Sequence, residues 1–338
     1  MIAVTGASGL VGSHLILKLA KAGHSIRAIC RHPEKRDKTL MFLGLQEPKA
    51  AEILSEVEWV SADITDVLAL NSALSGCDKV YHCAALVSYQ ESDKDLLYQI
   101  NAIGTANLVN ICLELGLEKL VYLSSTAALG TPDEDGKVHE ESQWKNDKNI
   151  SGYSLSKYQA EKEVWRGIEE GLNAAILNPC IILGPADYNT GSSALFSKVD
   201  SGMKFYPTGG NAWVDVEDVC EALIQLMNSD IHAERFIIIG ENKDFKYFFS
   251  KAAQLIGKPA PKYQAGPLLS GLAWRVDKVI SALRGKDAVL TKQTARAAQK
   301  TTVYQDDKIR AKLNLKPLLL DELLEKNAQL YLKWKAMD

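Results

Sequence analysis

The chain lacks a charge excess of either sign. Its 338 residues carry 39 basic and 42 acidic side chains, a formal net charge of −3 with histidine neutral. Nucleic acid and anionic membranes attract proteins through an excess of Lys and Arg, so this balance excludes a general attraction to either. No C-x-x-C pair occurs among the six cysteines, Cys30, Cys77, Cys83, Cys112, Cys180 and Cys220, and the six histidines show no ligand spacing with them. Neither a metal site nor a disulfide scaffold is expected. Cys30, Cys83, Cys112 and Cys180 sit in apolar runs, where a free thiol packs as a small hydrophobe. No stretch approaches the ~20 uninterrupted apolar residues that span a bilayer. The opening MIAVTGASG leaves no room for a charged n-region and an apolar h-region. The expectation is a cytoplasmic protein with reduced thiols and no stable membrane insertion. Internal repeats and low-complexity tracts are also missing.

What is present is 46% hydrophobic and 24% charged residues, an ordinary globular composition with enough length to bury a sizeable core. Short apolar runs alternate with helical patterns. Strands are predicted over 2–5, 25–30, 58–61, 79–83, 119–124 and 174–178, and helices over 10–22, 67–74, 95–115 and 153–170. Such alternation predicts an α/β fold, a doubly wound parallel sheet with helices on both faces. The connection 32–56 is longer than usual and holds a helical stretch of its own. Beyond Gly184 the alternation decays, and 268–284 and 318–335 read as amphipathic helices. The expected division is a nucleotide-binding domain over 1–180 with a returning segment at about 211–240. A smaller mixed substrate domain then takes 181–210 and 241–338. Phe205, Tyr206, Trp213 and Trp274 are candidates for an apolar substrate pocket or for simple core.

Thr5-Gly6-Ala7-Ser8-Gly9-Leu10-Val11-Gly12 follows the first strand directly and opens the first helix. Gly6 permits a tight turn, Gly9 lets the backbone approach a pyrophosphate, and Gly12 allows close packing of helix on strand. The helix start then offers free N–H groups and a partial positive charge to phosphates, through Gly6, Ser8, Gly9, Leu10, Val11 and Gly12. The second strand ends on Arg31, with Lys35 and Arg36 behind it and no acid before Glu34. Arg at that position accommodates a 2′-phosphate, which favours NADP, with NAD possible. Asp63-Ile64 closes the third strand, where Asp63 is placed to accept from an adenine amino group.

Tyr153 and Lys157 open a long helix four residues apart and so share one face. A neighbouring ammonium lowers a phenol's pKa from its ordinary ~10, letting the pair exchange a proton with a substrate oxygen. The strand over 119–124 runs into Ser124-Ser125-Thr126, hydroxyls able to orient a carbonyl or simply to cap the next turn.

The ordered set, with His82-Cys83-Ala84-Ala85, Asn101, Asn178-Pro179-x-x-x-x-Gly184-Pro185 and Val214-Asp215-Val216-x-Asp218-Val219, resembles the extended short-chain dehydrogenase/reductase superfamily. Within it, the likeness is to the NAD(P)-dependent epimerase/dehydratase and dihydroflavonol-reductase-like proteins, and it covers about residues 1–225. The resemblance implies a Rossmann-like domain and a Ser–Tyr–Lys triad of Ser125, Tyr153 and Lys157, with Ser124 and Thr126 as neighbours able to substitute. It further implies that Asn101 shapes the site and supports a water relay. Cys83, Ala84 and Ala85 would line the cofactor cleft, Pro179 and Ile182 would lie near the nicotinamide, and Tyr153 and Lys157 would also contact the cofactor, Lys157 at its ribose. Dimers would form through the helices over 101–115 and 153–170.

The sequence departs from dehydratases in having Ala127-Ala128 after Thr126, where they place an acidic pair. It departs from nucleotide-sugar epimerases in having Leu129-Gly130 and Gly210-Asn211-Ala212-Trp213-Val214. These differences point to an NADPH-dependent reductase of a ketone or aldehyde on a small organic molecule. An NAD-dependent sugar or nucleotide-sugar epimerase and a non-catalytic cofactor-binding scaffold remain as alternatives.

Overall fold

The computed structural model of the protein describes residues 1–145, 150–267, 269–271, 274–275 and 291–337. The predicted alternation becomes a sheet of seven strands, all parallel: β1 Ile2–Thr5, β2 Ile26–Cys30, β3 Glu58–Ser61, β4 Lys79–His82, β5 Lys119–Leu123, β6 Ala174–Pro179 and β7 Glu234–Ile238. Their order is β7-β6-β5-β4-β1-β2-β3. Ile2 pairs with Ile26 on one side and Lys79 on the other, so the chain winds outward in both directions from β1. A crevice for ligands forms at such a reversal, off the carboxyl ends of the strands.

Because successive strand residues point to opposite faces, one apolar strand feeds two cores. Val4, Val121 and Ala175 pack with Leu15 and Ile16 of the helix Leu10–Lys21 and with Val219 and Leu223 of the helix Val216–Met227. Ala3, Leu120 and Ile176 pack on the other face with Leu108 of the helix Gly104–Glu114 and with Ala160 and Val164 of the helix Gly152–Glu169. This is the doubly wound arrangement that the alternation predicts.

A third core lies under a small mixed sheet in which Gly210–Asp215 pairs parallel with Ile181–Leu183 and antiparallel with Glu241–Asp244. Trp213 stacks on Phe248 at 4.0 Å and is fully buried, so it is core, whereas Phe205 is exposed beside Tyr263. The helix expected over 318–335 is present as Leu320–Lys335. The one expected over 268–284 lies, apart from 269–271 and 274–275, outside the described residues.

The expected helix over 95–115 is part of a longer run, Glu91–Glu114, that changes winding on the way, with a π-helical turn at Tyr98–Ile103. By length and composition this run is apolar enough to cross a bilayer, although polar residues interrupt its apolar ones throughout. Half of its apolar stretch is buried within the fold, which accounts for that composition.

The helices Leu10–Lys21 and Val216–Met227 are joined by a partly buried polar link. His14 Nδ1 lies 2.7 Å from Glu217 Oε1, and Lys18 Nζ lies 3.5 Å from Oε2. Burial raises the Glu217 pKa, but the His14 hydrogen bond and the charges of His14, Lys18 and Lys326 outweigh it and bring the carboxyl to about 2. A carboxylate depressed in the folded state stabilises the fold above its unfolded pKa and loses that contribution as pH falls towards the folded value. Glu217→Gln is expected to lower stability at pH 7 by on the order of 3 kcal/mol. Urea melts of both proteins should converge as pH is lowered from about 4.5 towards 2.

Candidate active site

At Gly6 the backbone has φ +68°, and a Cβ there would sit 2.7 Å from the Ala84 Cα and N, so the loop after β1 lies directly on the chain leaving β4. At Gly12 a Cβ would stand 2.3 Å from the Gly6 carbonyl oxygen, which presses the helix against the loop. Gly9 caps that helix without a side-chain hydrogen bond, and among the described residues no side chain accepts from the N–H groups of the first turn, at Leu10, Val11 and Gly12. Ser8, half-buried, accepts from the Thr39 hydroxyl through its carbonyl at 3.4 Å. This cradle, closed to side chains and open to an anion, fits a dinucleotide pyrophosphate.

At the end of β2, Arg31 is half exposed. Its Nη1 lies 3.9 Å from Asp63 Oδ2, and its Nε donates to His32 at 2.9 Å. The other Asp63 oxygen accepts from the Thr65 N–H at 2.9 Å and its hydroxyl at 2.8 Å, so Asp63 holds its own turn, a task that the sequence reading missed. Ile64 is buried against Gly104. Pro179 ends β6, and Ile182 is half-buried in Ile181–Leu183.

Between these parts runs a buried hydrogen-bond chain that sequence reasoning did not find. The Ala84 N–H donates to Thr5 Oγ1 at 3.3 Å, and Thr5 Oγ1 lies 2.7 Å from His82 Nδ1. His82 Nε2 lies 3.0 Å from Thr105 Oγ1, which donates to the Asn101 carbonyl at 2.6 Å. Since Thr105 gives its proton to Asn101, it accepts from His82, and the imidazole carries its hydrogen on Nε2. Burial and the nearby Lys157 charge hold His82 neutral, with its pKa lowered to about 3. Burial also raises the Cys83 thiol to about 12, against the opposing pull of Lys157.

Asn101 sits in the π-helical turn, where its Oδ1 accepts from the Leu86 N–H at 2.7 Å. Its Nδ2 donates to the Leu86 carbonyl and to Ser156 Oγ, both at 2.9 Å. Each end of the amide is thus engaged by the protein. Through these bonds Asn101 ties the loop after β4 to the helix bearing Tyr153.

That helix begins at Ser151, whose hydroxyl accepts from the Ser154 N–H. Tyr153 is buried, its ring edge-on to Tyr89 at 5.7 Å. Burial pushes its phenol well above the usual range, and a hydrogen bond with Ser125 pulls the other way. The three hydroxyls after β5 separate by partner. Ser124 donates to Glu161 Oε2 at 2.7 Å, Thr126 meets the Tyr304 hydroxyl, and Ser125 faces Tyr153 while accepting from the Ala127 N–H at 3.1 Å. Glu161 also accepts from Asn178 Nδ2 at 2.8 Å and pairs with Arg235 at 2.8 Å, which makes it the anchor beneath the Ser125 segment.

Lys157 corrects the simplest reading of the i, i+4 pair. Its Nζ donates to the Tyr122 hydroxyl at 2.7 Å and to the Leu123 carbonyl at 3.0 Å, not to Tyr153. Burial draws its pKa down to about 7, with Glu161 and Cys83 opposing. In this state burial and Tyr89 raise the Tyr153 phenol, and the opposing pull comes from Ser125 in place of the expected Lys157.

The sequence profile of the NAD dependent epimerase/dehydratase family matches residues 2–240. A Synechocystis sp. protein assigned as a dihydroflavonol 4-reductase is 30% identical over 289 residues, covering 83% of this chain and 80% of that protein. The crystal structure of gox2253 matches with a TM-score of 0.80 and 27% identity, over 100% of this chain and 99% of its own. UDP-glucuronic acid 4-epimerase from Bacillus cereus, solved with UDP-glucuronic acid and NAD, matches with a TM-score of 0.76 over 98% and 99% of the two chains. At 19% identity that likeness is one of fold.

Proposed function

The chain belongs to the NAD dependent epimerase/dehydratase family of NAD(P)-dependent oxidoreductase-type enzymes, and from that premise we propose that it reduces a ketone or aldehyde of a small organic molecule with NADPH. One observation carries this reading: the buried Tyr153 phenol faces the Ser125 hydroxyl. Burial keeps the phenol protonated, the state a proton donor needs. Ser125 orients the substrate oxygen, and the Lys157 ammonium, one helical turn on, offsets the charge left on Tyr153. Ala127-Ala128 supplies no acid or base for eliminating water.

In this reading Gly6, Ser8, Gly9, Leu10, Val11 and Gly12 hold the pyrophosphate, and Asp63 and Ile64 flank the adenine. Cys83, Ala84, Ala85, Pro179 and Ile182 wall the cleft, and Lys157 reaches the ribose. The nicotinamide, when bound, supplies the hydride. Residues 1–180 and 211–240 form the cofactor part, and the remainder selects the substrate. The protein works in the cytoplasm as a homodimer formed through the helical segments 101–115 and 153–170.

Arg31 decides the cofactor. Its contact with Asp63 is long and half exposed, so little holds it from a 2′-phosphate. Arg31→Ala is expected to weaken NADPH about tenfold to a hundredfold, the worth of a charge-assisted bond, and NADH no more than about threefold. Fluorescence titration measures both. Equal wild-type affinities for the two cofactors would remove the NADP preference. Net oxidation of NADPH by a panel of ketones and aldehydes tests the reaction. NAD retained through purification, with sugar interconversion and no net redox change, would replace it by epimerase chemistry.

A further inference from the structure

Tyr122 lies on β5 at 1% exposure, in the stretch Leu120–Leu123 that is apolar apart from its hydroxyl. Its ring stacks on His82 with centroids 5.3 Å apart, and Lys157 Nζ lies 4.5 Å from the ring centroid as well as 2.7 Å from the hydroxyl oxygen. An ammonium has donors only, so the phenol must accept from it and send its own proton elsewhere. The Thr105 and Ser124 hydroxyls adjoin it, and each already donates to another group, Thr105 to Asn101 and Ser124 to Glu161. Each can therefore accept. The hydrogen-bond directions leave the Tyr122 oxygen with its lone pairs towards Lys157.

We propose that Tyr122 is a positioning residue for Lys157, its buried hydroxyl holding the ammonium at the end of β5 and keeping it charged where the fold excludes water. The role this gives Lys157 towards cofactor and phenol rests on the function proposed above. The hold itself does not. Lys157 is faced by Glu161 on its own helix and Cys83 after β4, whose influence favours the charged form. His82 opposite is neutral, and Tyr122 and Tyr153 are phenols kept protonated by burial. Tyr122 therefore adds the fixed acceptor that the burial of the ammonium requires, alongside the Leu123 carbonyl. Without the hydroxyl the ammonium keeps that single carbonyl.

The test is a titration of the ligand-free full chain by NMR of 13Cε-labelled lysine, with Lys157→Met identifying the signal. The wild-type midpoint is expected at about 7. In Tyr122→Phe it should fall by about one pH unit or more, the effect of losing a hydrogen bond to a charged group. Tyr122→Met, whose flexible thioether adapts to the cavity, keeps the test open should the first variant not fold. A midpoint that stays within about 0.3 unit of wild type, or rises, overturns the proposal, since even one charge-assisted bond is worth more than that. NADPH and NADH titrations at pH 6 and 8 run beside it. A lowered midpoint with greater loss of cofactor affinity at pH 8 than at pH 6 supports both the hold and the role of Lys157. A lowered midpoint with equal losses supports the hold and removes the proposed contact of Lys157 with the cofactor.

Discussion

Tyr153→Phe is expected to lower kcat by about a thousandfold, within the range that a positioned general acid contributes. The NADPH Kd should stay within about threefold, since the contacts proposed for the glycine loop and for Lys157 remain and the aromatic ring is kept. The separation follows from what phenylalanine keeps. The ring retains its edge contact with Tyr89, and the helix start retains its Ser151 cap. The bonds of Lys157 run to Tyr122 and Leu123 and do not pass through Tyr153. Only the hydroxyl shared with Ser125 disappears. Steady-state kinetics, fluorescence titration and a thermal melt on one preparation decide the matter. Turnover undiminished beside wild type would take the proton donor away from Tyr153. Equal collapse of affinity and melting temperature would make the residue structural.

Gly12→Ala is expected to cost about 2–3 kcal/mol in stability, typical of forcing extra volume into a packed site, and to weaken either cofactor at least about a hundredfold. The new Cβ would meet the Gly6 carbonyl oxygen at 2.3 Å, the Gly6 carbonyl carbon at 2.8 Å and the Ala7 Cα at 3.0 Å, all backbone atoms that cannot rotate away. The helix must lift from the loop, misaligning its first N–H groups and straining the His14–Glu217 link farther along. Gly9→Ala provides the contrast. Its nearest atom would be the Gly6 oxygen at 3.2 Å, at an exposed position, so stability should fall by less than about 1 kcal/mol. Its affinity should fall all the same, because a methyl group there stands where the pyrophosphate must approach. Urea melts and fluorescence titrations of the two variants separate packing from ligand approach. Two wild-type affinities would place the phosphate elsewhere.

Six of the seven parallel strands and the turns beside them were legible, because each is a local pattern: an apolar run, a glycine spacing, a helical period. Glu234–Ile238 was foreseen only as part of a returning segment, and the small mixed sheet escaped. Its members are three to six residues long and pair across wide separations, Trp213 with both Ile181 and Glu241, which no local window contains. The site divides the same way. The glycine loop and the Tyr153–Lys157 pair announce themselves by spacing. Helical spacing names the face on which Lys157 lies but not the neighbour it meets, and that neighbour, Tyr122, is hidden in the continuous apolar run Leu120–Leu123 of β5. The anchor Glu161 stands another four residues along the same face, a signal that could have been read. His82 and Thr5 gain their roles only from the pairing of β1 with β4, which sets them side by side.

The π-helical turn at Tyr98–Ile103 makes chain length itself part of the active centre. A π-helical turn holds about one residue more than an α turn, so deleting one residue there would restore ordinary winding, keep the flanking turns in phase and re-aim the side chains inside the turn. The Asn101 amide, inside the turn, would no longer meet the Leu86 backbone. A homologue could keep every glycine, the serine, the tyrosine and the lysine, lose a single position in this turn, and retain all the chemistry with no frame to hold it. In comparing relatives of this protein, a one-residue gap between the loop after β4 and Gly104 therefore carries as much information as a substitution at Tyr153.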